Sequence, residues 1–255
     1  MNMLWKLVRI VPVYIFLYLP LVVLVVFSFN DSKLSVVWKG FTWKWFDKLL
    51  HNTQLMDAAF NSLLVAALSA SAATILGLLA ALALYRYRFR CKALLRSALF
   101  VVMVSPDIVM GVAFLVLFMC LGLKPGFLTL FLAHTTFCLP FVTVTVHSRL
   151  MGFDDNLLEA AHDLGAGEFQ AIRHVLLPLL APAVLAGWLL SFTLSMDDVI
   201  ISFFVTGPDF DILPLRVYSL VRLGIKPDVN ALSAIMFGLT VAIVLTSQFL
   251  LRRKK

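Results

Sequence analysis

Six runs of roughly 20 apolar residues, each long enough to cross a bilayer as a helix, constrain this chain more than any motif does. They lie near 10–29, 58–84, 97–121, 127–146, 179–205 and 232–250. The chain is 62% hydrophobic and only 14% charged, and its mean hydropathy is +0.98. A soluble chain of 255 residues cannot bury that much apolar surface. A bilayer removes the difficulty by serving as the apolar solvent. The fold predicted is an all-α membrane protein with six transmembrane helices, organised as a single transmembrane domain over residues 1–255 with no internal repeat. The fifth run is interrupted by Asp197 and Asp198. Ile10 to Phe29 is longer than the apolar core of a signal peptide, and no small-x-small site follows it, so it is expected to be retained.

The net charge of +7 reads as topology and not as a nucleic-acid signal. The short loop 85–96 holds Arg86, Arg88, Arg90, Lys92 and Arg96. The chain ends Arg252-Arg253-Lys254-Lys255, and Lys6 and Arg9 precede the first run. With Arg149 and Arg173, thirteen basic residues fall on one side against eight on the other. The positive-inside rule therefore places both termini and the loops 85–96 and 147–178 in the cytoplasm. Loops 30–57, 122–126 and 206–231 face outward. Cys91, Cys120 and Cys138 are scattered and odd in number, so they read as small apolar residues and not as a disulfide or metal set.

Loop 147–178, His147 to Pro178, is 32 residues of mixed charge and polarity in a chain that is otherwise almost all apolar. Asn156 is placed to cap a helix from Leu157, with Glu159 at its third position. Leu157, Ala161 and Leu164 then share a stripe. Gly165-Ala166-Gly167 ends the helix, with Gly165 suited to a left-handed turn. Phe169, Ile172 and Leu176 form a second amphipathic segment before Pro178. Two short helices with an elbow suit docking into a groove. The other reading is a helix pair lying on the lipid headgroups. Its acids, Asp154, Asp155, Glu159, Asp163 and Glu168, disfavour that beside an anionic leaflet.

Three carboxylates, Asp107, Asp197 and Asp198, fall inside or at the ends of apolar runs. Each costs about 2.5–3.5 kcal/mol at mid-membrane, so such residues usually face an aqueous path or a partner. Asp107 follows Ser105-Pro106, where proline removes a helical hydrogen bond. Ser191, Ser195, Asp198 and Ser202 fall on one helical stripe, with Thr193 and Asp197 beside it. No Lys or Arg lies in these two runs, which suits a cationic substrate with carboxylates for its ammonium groups and aromatic faces for its stems. Trp38, Trp43 and Trp45 in the first outer loop supply aromatic faces, or else anchor the interface. The acids also read as helix-to-helix hydrogen bonders or as a proton relay. His134, in the fourth run, reads as a packing hydrogen bond. No phosphate loop, H-E-x-x-H or G-x-S-x-G occurs, so no enzyme site is expected and the driving energy must come from elsewhere.

Glu159-Ala160-Ala161, three residues, Gly165, nine residues, Val175, one residue, Leu177-Pro178 resembles the EAA motif of ABC-importer permeases, E-A-A-x3-G-x9-I-x-L-P, with Val175 for Ile. Wider stretches, among them Phe100-Val-Val-Met-Val-Ser-Pro-Asp-Ile-Val-Met110 and Leu190-Ser-Phe-Thr-Leu-Ser-Met-Asp-Asp-Val199, are similar to polyamine (spermidine/putrescine) importer permeases. The resemblance implies a type I ABC importer fold in a bacterial inner membrane. It implies a second homologous permease, two ATPase copies that hold the ATP and magnesium, and a periplasmic polyamine-binding protein, with no cofactor in this chain. The loop would be the coupling helix, with Glu159, Ala160, Ala161, Gly165, Leu177 and Pro178 as its motif, while Glu159 also caps its own helix. The resemblance further marks Trp45, Asp107, Glu168, Ser195, Asp197 and Asp198 for uptake. Glu168 would meet either the ATPase or the exiting substrate. Two alternatives stand beside this reading: an importer of another solute, such as ferric ion or an oxyanion, and an ion-coupled secondary transporter.

Overall fold

The computed structural model describes residues 3–32, 37–154, 156–222 and 227–252. Asp155, Arg253, Lys254 and Lys255, which the sequence reading used, and part of the 206–231 loop lie outside them. The described chain is helical, with one isolated antiparallel bridge, Asn30 to Phe41. It divides into two bodies, Met1–Asp57 with Arg216–Lys255, and Ala58–Leu215.

In the first body, α1 (Met3–Phe27) carries only apolar residues, Tyr14, Tyr18 and two prolines after Arg9, and exposes large apolar side chains from Ile10 to Val26. A helix of that kind needs an apolar solvent. The chain then turns at Ser28 and forms α2 (Lys44–Leu50). The last helix of the chain, which runs over Pro227–Arg252, packs against α1 and α2.

The second body opens with most of α3 (Thr53–Arg86). Its buried stripe is Ser62, Ala66, Ala70, Ala73, Gly77 and Ala81, all small. Small residues let membrane helices approach to van der Waals contact where hydrophobic driving force is weak. A Cβ on Gly77 would lie 2.7 Å from the Cβ of Val142. Val142 belongs to α6 (Phe127–Leu150), whose inward row Cys138, Val142, Val146, Leu150 forms the core with α3.

The third predicted span, 97–121, is two helices, α4 (Lys92–Val104) and α5 (Asp107–Cys120), bent by 116°. Pro106 has no N–H to donate and forces Ser105 out of the helical region, to ψ 135°. Proline thus breaks the run and does not merely kink it. After α6 come α7 (Asn156–Asp163) and α8 (Glu168–Ala171), then a π-helical turn, Ile172–Leu176, and α9 (Leu177–Asp197). The second helix of the elbow therefore runs unbroken into the fifth span. Pro178 would crowd the carbonyl one turn back, and the wider π turn just before it accommodates the ring.

The fifth span also ends early. Asp198 is extended, ψ 121°, and a short helix, α10 (Ile200–Val205), follows. It packs on α5, where Gly111 leaves room for Phe204. Next, α11 (Leu213–Arg222) begins with its Leu213 N–H bonded to Ser62 Oγ at 2.8 Å, and α12 (Pro227–Arg252) ends the chain. Among the described residues four helices are long and apolar enough to span a membrane, or five if the bent pair counts as one. The apolar described stretch of α12 is Asn230–Ala242.

At the exit of α10, a Cβ on Gly207 would lie 2.2 Å from the Pro125 carbonyl oxygen, a backbone atom that cannot swing aside. Gly207→Ala should lower unfolding stability by about 1–3 kcal/mol, the usual cost of overpacking. Gly152→Ala, whose nearest neighbour is 3.8 Å away, should leave it unchanged. Thermal unfolding in detergent measures both, and equal midpoints would refute the clash.

Candidate functional site

The break between α9 and α10 leaves backbone N–H groups without helical partners, and the carboxylate of Asp198 takes them. Asp198 Oδ1 accepts the Ile201 N–H at 3.2 Å, and Oδ2 accepts the Ser202 N–H and hydroxyl, each at 2.8 Å. This is helix capping carried out inside an apolar environment. From α6, His134 completes the set. Its Nδ1 lies 2.6 Å from Ser195 Oγ, and its Nε2 lies 3.0 Å from Ser202 Oγ and 3.4 Å from Asp198 Oδ2. A neutral imidazole protonated on Nε2 satisfies every member: it donates toward Ser202 and Asp198 and accepts the Ser195 hydroxyl on Nδ1. His134 is 1% exposed and Asp198 9%.

The packing expectation for His134 thus becomes a specific three-partner network. The expected polar strip Ser191, Ser195, Asp198 and Ser202 does not line an open path, because all four are buried. The helix breaks at Asp198, so the stripe's periodicity stops there, and the side chains of Ser195, Asp198 and Ser202 turn in toward His134. Asp107 and Asp197 behave differently. Asp107 is the first residue of α5, just past the bend, and Asp197 is the last of α9. Both are exposed, and they lie within Coulombic reach of each other. Two exposed carboxylates at adjoining helix breaks attract a cation without encasing it.

Trp45, in the first body, is 6% exposed. Its indole N–H donates to the Asn30 carbonyl at 2.7 Å. Lys44 and Lys48 each hold their ammonium over its ring, 5.6 and 5.5 Å from the centroid. The indole is thus committed to its own loop, where Asn30 also bonds the Val37 carbonyl and the Lys39 N–H at 2.8 and 2.7 Å. The exposed aromatics there are Trp38, Trp43 and Phe41. Nothing in the sequence pattern singles out Asn30.

The elbow has the expected glycine and an unexpected face. Gly165 has φ 84°. The Ala166 N–H bonds the Ala161 carbonyl at 3.0 Å and the Gly165 N–H bonds that of His162 at 2.8 Å, a Schellman turn. Asn156 is the first helical residue and not the cap; its N–H donates to Asp154 Oδ1 at 3.1 Å. The buried pair of α7 is Leu158 and Ala161, packed on Ala171 and Leu176. Leu157 is exposed, and Leu164 and Phe169 are 90% and 71% exposed. The stripe read as Leu157, Ala161, Leu164 is therefore split: Ala161 holds the helix to the body, and the two leucines face away. Glu159, Ala160 and Pro178 are exposed, and Leu177 is half-buried. Glu168 meets Arg86 of α3, with Nε to Oε1 at 2.9 Å and Nη2 to Oε2 at 3.1 Å. His162 Nε2 lies 3.6 Å from Oε2. This pairing spans 82 positions and has no sequence signal.

Residues 73–253 match the family described as binding-protein-dependent transport system inner membrane component. The chain is 55% identical over 242 residues to the spermidine/putrescine transport system permease protein PotC of Escherichia coli K12, covering 95% of this chain and 92% of that protein. It is 54% identical to the Haemophilus influenzae protein of the same name, covering 94% of each. Its fold superposes, with a TM-score of 0.75 at 18% identity, on a bacterial alginate ABC transporter solved with an alginate pentasaccharide-bound periplasmic protein, over 98% of this chain and 94% of that one.

His134→Ala would leave the buried Asp198 carboxylate and Ser195 hydroxyl short of partners, costing about 1–3 kcal/mol or more. Thermal unfolding of the purified chain should show that loss. Unchanged unfolding would mean the network contributes nothing to the helix break.

Proposed function

We infer that this chain, which belongs to the binding-protein-dependent transport system inner membrane component family, is the membrane-spanning permease of an ATP-driven importer for polyamines. The likeness to spermidine/putrescine permeases over 95% of the chain carries this reading. It favours amines over ferric ion or an oxyanion, and an ABC importer over an ion-coupled carrier. The two exposed carboxylates fit the same cargo, because an ammonium group needs a counter-charge that releases it again.

In this reading both termini and loops 85–96 and 147–178 are cytoplasmic, and the loaded binding protein docks on the outer loops. A homologous permease completes the pore. Two ATPase copies, which hold ATP and magnesium, seat the α7 elbow. Leu157, Leu164 and Phe169 supply an apolar docking face, with Glu159 and Ala160 beside them. ATP-driven closure of the ATPase pair moves the elbows and opens the spans outward. The amine then passes Asp107 and Asp197, while Asp198, Ser195 and His134 hold the helix break that presents them. Trp45 shapes the outer loop. Gly165 sets the elbow angle, and Leu177 and Pro178 join it to the fifth span.

The test is reconstitution of the whole complex in liposomes with radiolabelled spermidine and putrescine. Uptake should require ATP and the binding protein. Uphill spermidine movement by the purified chain alone on an ion gradient would overturn the reading. Within the working complex, Asp107→Asn with Asp197→Asn should slow uptake by roughly tenfold, on the order of half the cost of one intramembrane charge. Normal uptake by that double variant would remove these acids from the path. Glu159→Ala should leave assembly intact and suppress the ATP hydrolysis that loaded binding protein stimulates; full stimulation would exclude a coupling role.

A further inference from the structure

We propose that Arg86 is a positioning residue of the transport cycle: with Glu168 it forms a strut that makes the elbow and α3 move as one piece. The proposal rests on the reading of α7 as the helix that meets the ATPase. Arg86 is the last residue of α3, and Glu168 the first of α8. Two parallel hydrogen bonds, 2.9 and 3.1 Å long, join the guanidinium to both carboxylate oxygens. His162 adds a third contact at 3.6 Å, and its other ring nitrogen holds the Ala166 carbonyl at 2.9 Å. The cluster therefore binds three things together: the end of α3, the turn of the elbow and the start of α8.

An exposed ion pair adds little to stability, so its worth here lies in geometry. A bidentate fork fixes direction as well as distance. Below it, Leu82 and Tyr85 of α3 pack with Leu158, Ala171 and Leu176. That apolar contact resists compression but slides easily in plane. The fork resists sliding. α8 continues through the π turn into α9 without a break, so a push on α7, passed across the Gly165 turn that His162 ties to Ala166 and Glu168, reaches α9 along the backbone and α3 through the strut.

The experiment is reciprocal charge exchange in the complete transporter, with the ATPase, second permease and binding protein. Arg86→Glu and Glu168→Arg should each cut spermidine uptake roughly fivefold or more, with more ATP spent per amine moved. The exchanged pair, Arg86→Glu with Glu168→Arg, should recover about half of the lost uptake. Arg86→Lys keeps the charge but loses the fork, and should fall between wild type and the single reversals. A second readout is independent of transport. Hydrogen exchange of amides 157–171 should quicken in each single variant and slow again in the exchanged pair. Singles that transport like wild type, or an exchanged pair as poor as the singles in equally assembled complexes, would overturn the strut, as would unaltered hydrogen exchange in the singles. If wild-type complex failed to take up spermidine while hydrogen exchange still followed the pair, the functional reading would fall and the strut would stand.

Discussion

A helix interrupted inside an apolar solvent exposes N–H and C=O groups that water cannot reach, and each must find a partner. In α10 the orphan groups rival the internal bonds in number, because the helix is only six residues long. Both of its ends are pinned. Asp198 caps the start. At the other end the Val205 carbonyl accepts the Thr129 hydroxyl at 2.7 Å and the Gly126 N–H at 3.3 Å. The contact of Phe204 at Gly111 and the tight passage of Gly207 past Pro125 follow from that placement. Removing one partner from such a set costs more than the set contributes as a whole, because an unpaired polar group remains behind.

The same constraint divides the acids by task. A carboxylate committed to two backbone amides, a hydroxyl and an imidazole has little capacity left for a passing cation. Asp198 is in that position. Asp197, one residue earlier, and Asp107, at the opposing break, keep their oxygens exposed. Adjacent aspartates thus serve opposite ends: one builds the break, and the other stands at its surface.

The elbow shows a related economy. Leu158, Ala161 and Ala171 face the body, and Leu157, Ala160, Leu164 and Phe169 face away. Leu158, Ala161 and Ala171 join one apolar cluster with residues of α3 and α6, while Leu157, Leu164 and Phe169 stay exposed. The two alanines of the motif therefore part: Ala161 lies on its own chain, and Ala160 stays exposed beside Glu159.

Much of this was legible in the residues. Apolar runs of membrane length located the long helices, since hydropathy needs only local composition. The third and fifth runs, however, are each two helices, and four or five helices of span length stand among the described residues. The Gly165 turn followed from one residue's freedom at positive φ. The EAA spacing and the wider stretches pointed to the family to which the chain belongs. Pro106 announced a disturbance, but neither the bend of 116° nor the packing of α5 on α10 could be read from it. Helical spacing placed Ser195, Asp198 and Ser202 on one stripe but could not say which way it faces. That direction was decided by His134, 64 positions before Asp198 on another helix. Arg86 with Glu168, and Asn30 beneath Trp45, were likewise settled only by folding. Hydropathy and turn chemistry act within a few residues of chain. Which buried polar group meets which is fixed when distant helices pack, and no local pattern carries that choice.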